Sequence, residues 1–90
     1  MTKYKYKLLI VDDNKDSSEL LKEMLLENID YCEIFTLNDS RKVMDTALNE
    51  NIDLILMDIQ MPIMDGFEVG NQLKNYSGTA DTPIIYMTAV

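Results

Sequence analysis

Three short apolar runs in this chain stop on an acid or a hydroxyl. Residues 8–11 (LLIV) lead into Asp12 and Asp13, residues 54–57 (LILM) into Asp58, and residues 84–87 (IIYM) into Thr88. Continuous apolarity without alternation is the pattern of strands buried on both faces, as in a parallel sheet. A weaker run, 31–37, is interrupted by Glu33 and Thr36 and suits an edge strand. The stretches between carry helical spacing. Leu20, Leu21, Met24 and Leu25 make one apolar stripe, and Val43, Met44, Ala47 and Leu48 make another. Asp39 or Ser40 can cap the second helix. Asp65 with Glu68 forms a capping pair for the third, whose Phe67 and Leu73 are expected to face inward. Gly70 inside that helix costs ~1 kcal/mol against alanine, which implies close packing there. The order β-α-β-α-β-α-β requires right-handed crossovers and predicts an α/β doubly wound parallel sheet with helices on both faces.

Composition narrows the chemistry. Ninety residues make one small domain, and 47% hydrophobic content is enough to pack it. A net charge of -8, from 16 acids against 8 bases, opposes direct contact with nucleic acid. No apolar run approaches the ~18 residues that span a bilayer, so no membrane association is expected. A single cysteine, Cys32, excludes an internal disulfide and fits a reducing, cytoplasmic setting. The chain has no histidine, which removes Ser-His-Asp and Cys-His catalysis and any ordinary zinc site. Its chemistry must run on carboxylates, hydroxyls, lysines and the backbone.

In an open parallel sheet the carboxyl ends of the strands share one edge, and ligands bind in the crevice there. Asp12, Asp13, Asp58 and Thr88 all fall at that edge. Asp53 is at the opposite end of its strand, roughly 16 Å from Asp58 at ~3.3 Å per residue, and is expected to be solvated. Carboxylates held ~4 Å apart repel by about 4 kcal/mol per pair at an effective dielectric of ~20. Either a raised pKa or a bound cation relieves that repulsion. An all-oxygen set favours a hard ion, and magnesium takes one or two carboxylates together with phosphate oxygens. A carboxylate can also act as a nucleophile and form an aspartyl-phosphate, and Asp58, which leads into IQMPIMDG, is the candidate.

The segments LLIVDDN, DLILMDIQMPIMDGFE and TPIIYMTA together resemble the receiver domains of two-component response regulators, over essentially the whole chain. The resemblance implies a flavodoxin-like sheet of order 2-1-3-4-5, with order 2-1-3-4 present here. It implies a phospho-accepting function. Phosphoryl passes from a phosphohistidine on a sensor histidine kinase or phosphotransfer protein to Asp58, with Mg2+ as cofactor, and an output is switched. Asp13 resembles a direct magnesium ligand, Asp12 one acting partly through water, and Gln60 a ligand through its backbone carbonyl. Thr88 resembles the switch hydroxyl, and the Ala89 amide a donor to a phosphoryl oxygen. The role implied is regulatory rather than enzymatic.

The family continues beyond the fourth strand with a further helix, strand and helix, carrying a lysine that contacts the phosphoryl group. Residues 1–90 are therefore expected to be an incomplete receiver domain, weakly phosphorylated by itself. Its fourth strand would then be an uncovered edge open to self-association. Two other functions compete: a phosphorylation-independent interaction module, and an aspartyl-phosphate hydrolase. The hydrolase would want an acid where Gln60 stands. A calcium loop built from Asp12, Asn14, Asp16 and Glu23 lacks the glycine required where Ser17 stands.

Overall fold

Strand β1 (Tyr6–Val11) is the centre of the molecule because its alternate side chains serve two different cores. In the computed structural model, which describes residues 6–88, Leu9 and Val11 join Val43, Ala47, Ile55, Met57, Val69 and Leu73 on one face of the sheet. Leu8 and Ile10 join Cys32 and Ile34 on the other, with Leu21 and Leu25 packed against them. Leu9, Ile10 and Val11 are fully buried, and each such side chain is worth ~1.5–3 kcal/mol of removed apolar surface.

The remaining elements follow in the expected order: α1 (Lys15–Asn28), β2 (Cys32–Leu37), a 3-10 turn (Ser40–Lys42), α2 (Val43–Glu50), β3 (Leu54–Asp58), α3 (Gly66–Lys74) and β4 (Ile84–Met87). All strand pairs are parallel, in the order β2-β1-β3-β4. Helix α1 covers one face, and α2 with α3 the other. This is the doubly wound, flavodoxin-like arrangement, with β2 at an edge as Glu33 and Thr36 suggest.

Local chemistry sets the boundaries. Asn14 caps α1, its side chain accepting from the Ser17 amide at 2.9 Å. Asp65 and Glu68 form the capping box of α3 as the sequence predicts. Asp39 caps the 3-10 turn instead of α2 itself, and α2 simply continues from that turn. Tyr31, expected within β2, has φ 61°, a left-handed conformation that no strand residue adopts, so the strand starts one residue later. Asn51 (φ 54°) closes α2 in the same left-handed region.

Several side chains expected inside lie outside. Leu20 and Met24 are more than half exposed, since only Leu21 and Leu25 of that stripe reach the sheet. Phe67 is also exposed, because α3 turns Gly66, Val69, Gly70 and Leu73 inward. Its ring meets that of Tyr86 at 4.9 Å between centroids. Strand β4 is not buried on both faces: Ile85 and Tyr86, which point to opposite faces of the sheet, are both exposed, and among the described residues no strand lies on its outer side.

Two glycines let α3 approach the sheet. A Cβ at Gly66 would stand 2.3 Å from the Asp58 carbonyl oxygen and 2.9 Å from the Ile59 Cα, both backbone atoms that cannot give way. A Cβ at Gly70 would meet the Tyr86 hydroxyl, the far end of a side chain that can rotate. Gly66→Ala is therefore expected to cost about 1–3 kcal/mol in urea denaturation. Gly70→Ala should cost distinctly less, and in a Tyr86→Ala background it should stabilise by about 1 kcal/mol through helix propensity.

Candidate functional site

Sheet register brings the sequence-distant acids together. Val11 pairs with Met57, so Asp12 stands abreast of Asp58; Asp58 pairs with Met87, so Thr88 comes one step beyond. Asp12, Asp13 and Asp58 each offer a carboxylate oxygen, and these atoms all lie within 4.8 Å of one another. Asp12 and Asp58 are half-buried and Asp13 is exposed. Asp53 sits at the other end of β3, where its Oδ2 accepts from the Lys7 amide at 2.8 Å.

Two of the three acids are anchored locally. Asp12 Oδ1 accepts from the Asn14 amide at 2.9 Å, and Asp58 Oδ1 accepts from the Gln60 amide at 3.1 Å. Burial raises the Asp58 pKa above its ordinary value. The Gln60 amide opposes this, while the charges of Asp12 and Asp13 and a hydrogen bond with Asp12 add to it. The acids line a cavity of about 430 Å³ shared with Asn14, Ser17, Leu21, Gln60, Met87 and Thr88. At ~30 Å³ per water, that volume admits a hydrated ion together with a phosphoryl group.

Gln60 and Thr88 line the same cavity as the three acids, and Ala89 lies outside the described residues. The calcium loop does not form. Asp16 and Glu23 both belong to α1, roughly 10 Å apart along its axis, and Asn14 spends its side chain on the cap. Lys74 is held at the far end of α3, donating to the carbonyls of Ala80 (3.2 Å) and Thr82 (2.7 Å). Two polar residues escaped the sequence reading. Asn38 donates from Nδ2 to the Asp12 carbonyl oxygen at 2.7 Å and to Ser18 Oγ at 3.0 Å, and Ser18 is fully buried. The available signal was register: Val11 pairs with Leu37, which sets Asn38 beside Asp12.

Comparison with known proteins matches the same region. The family model described as response regulator receiver domain matches residues 8–90. The transcriptional regulatory protein CpxR of Escherichia coli (strain K12) is 35% identical over 83 residues, covering 92% of this chain and 33% of CpxR. Hybrid signal transduction histidine kinase G of Dictyostelium discoideum is 37% identical over 84 residues, covering 92% of this chain and 2% of the kinase. Among solved structures, the N-terminal domain of a response regulator receiver protein from Methanoculleus marisnigri JR1 superposes with a TM-score of 0.87 at 28% identity, covering 94% of this chain and 68% of that one. The chemotaxis response regulator CheY4 of Vibrio cholerae gives 0.80 at 30% identity, covering 90% and 66%. The chain therefore spans about two-thirds of these solved chains and about a third or less of these two curated relatives.

The raised Asp58 pKa has a definite sign. Folding favours the protonated form, so the ionised carboxylate destabilises the fold near neutral pH. That penalty fades as pH falls through the folded pKa, and nothing is left below the ordinary value of 3.8, where folded and unfolded forms are both protonated. In chelator, Asp58→Asn is expected to raise the melting temperature by a few degrees near neutral pH. Thermal melts across pH should show this gain shrinking to nothing in acid.

Proposed function

The chain belongs to the response regulator receiver domain family, and from that premise we propose that Asp58 accepts a phosphoryl group from a phosphohistidine on a partner histidine kinase or phosphotransfer protein. The observation that carries this is the convergence of Asp12, Asp13 and Asp58 beside Thr88 at the carboxyl edge of the sheet. The donor set is all carboxylate, which fits a hard divalent ion such as Mg2+. Asp12, Asp13, Asp58 and the Gln60 backbone carbonyl would hold it. When bound, the ion neutralises charge on the incoming phosphoryl group and orients it for in-line attack.

The residues of the chain divide the remaining work. An oxygen of Asp58 attacks phosphorus; the P–N bond of the donor breaks, its electron pair returns to the imidazole, and an acyl phosphate forms. The Gln60 amide, 3.1 Å from Asp58 Oδ1, orients the attacking carboxylate. The Thr88 hydroxyl and the Ala89 amide are assigned to the phosphoryl oxygens. The modified form then shifts a conformational population that a partner or attached output reads. The chain acts as a stoichiometric acceptor. Gln60 stands where a hydrolase would want an acid, which disfavours repeated turnover.

The single cysteine, buried and unpaired, supports a cytoplasmic setting, and no helix among the described residues is long and apolar enough to cross a membrane. The net charge of -8 speaks against direct nucleic-acid contact. Strand β4, an edge strand among the described residues with Ile85 and Tyr86 exposed, supports self-association.

Incubation with a phosphorylated kinase domain and Mg2+ tests the phosphotransfer. Intact mass should show at most one phosphoryl group per chain, removed by hydroxylamine and absent from Asp58→Asn or in chelator. Labelling is expected to be slow, since Lys74 is engaged at the far end of α3. Steady release of phosphate over many turnovers would favour a hydrolase. Intact folding with no label under any condition would favour an interaction module. For the β4 edge, light scattering should show a mass that rises with concentration, and Ile85→Lys should lower it.

A further inference from the structure

Asn38 has no part in the chemistry above, yet it is tied to the turn that presents two of the three acids. The backbone amide of Asp12 donates to the Leu37 carbonyl at 3.0 Å, the last link between β1 and β2 before the chains separate. Just past that link, Asn38 Nδ2 donates to the Asp12 carbonyl oxygen at 2.7 Å. The same nitrogen donates to Ser18 Oγ at 3.0 Å. Ser18 Oγ in turn donates to the Lys15 carbonyl at 2.9 Å, inside the first turn of α1, and the residue is fully buried. One side-chain amide thus joins the end of β2, the Asp12–Asp13 peptide and the start of α1.

The geometry matters most for Asp13. Among the described residues its carboxylate accepts no hydrogen bond, and it is exposed, so its aim is set by the backbone that carries it. The Asp12 carbonyl belongs to the peptide plane that leads into Asp13. A donor fixing that oxygen fixes the plane and the position of the Asp13 Cα, which narrows the directions in which the Asp13 side chain can depart. Asp12 is already held from its own side, where Oδ1 accepts from the Asn14 amide. Without Asn38, the Asp12 carbonyl would be free to turn toward solvent, and the carboxylates would meet the ion only after reordering.

We propose that Asn38 is a positioning residue for the cation site, acting through the Asp12–Asp13 peptide and braced by Ser18. This rests on the magnesium reading given above. Outer hydrogen-bond partners of metal ligands typically change affinity by about 10–100-fold. For a half-exposed site the low end of that range is expected.

The test is Mg2+ titration by calorimetry on the full chain, with no phosphoryl donor present. Asn38→Ala should weaken Mg2+ binding about 10-fold, and at saturating Mg2+ the rate of Asp58 labelling should return to the unsubstituted value. Ser18→Ala should weaken binding less, and should add nothing in the Asn38→Ala background. Lys74→Met, which loosens the loop at the other end of α3, should lower thermal stability without changing Mg2+ affinity. Unchanged affinity in Asn38→Ala overturns the proposal while leaving the phosphoacceptor reading intact. Equal weakening by Lys74→Met also overturns it, since general loosening would then suffice. Failure of the unsubstituted chain to bind Mg2+ removes both.

Discussion

Like charges held together against their mutual repulsion are the constraint on which this molecule turns. Nothing local brings Asp58 to Asp12 and Asp13; they approach because β1 and β3 lie side by side in one register. A slip of one residue would send every side chain of a strand to the opposite face. The register is held by Leu9, Val11, Ile55 and Met57 on one side and Leu8 and Ile10 on the other, with Leu54 and Leu56 packed against them. Apolar burial thus supplies the free energy that confines three carboxylates to one pocket.

The division of labour along β1 and β3 is plain. Their interiors are apolar and close-packed, and their carboxyl ends carry the clustered acids. Loops then refine what the strands deliver. The Asn14 and Gln60 amides each take one oxygen of an acid two residues earlier. The Asn14 side chain meanwhile begins α1, so the loop that aims Asp12 also starts a helix.

Much of this was legible in the sequence. The apolar runs before Asp12, Asp58 and Thr88 identified the strands, and parallel topology then required their ends to meet. The Asp65–Glu68 capping box and the tight fit at Gly70 were also readable, because each is a local rule with one geometric solution. What was not legible depends on how far a neighbour reaches. Phe67, Leu20 and Met24 fit a helical apolar stripe, but the inward arc of each helix is narrower than that stripe. Tyr86 reads as core by composition, yet it lies against Phe67 and Gly70 of α3 with its ring still exposed. Asn38 and Ser18 were invisible because their significance comes from a hydrogen bond between two loops, which no periodicity records.

The contact at Gly66 has a mechanical side. Its amide donates to the Ile59 carbonyl at 2.9 Å, and the missing Cβ lets the helix start rest directly on the Asp58 peptide. With no cushion of side-chain atoms between them, the end of β3 and the first turn of α3 behave as one stiff corner. A shift of the Asp58 backbone would therefore pass straight into the first turn of α3, while the far end of the helix stays seated in the core through Leu73.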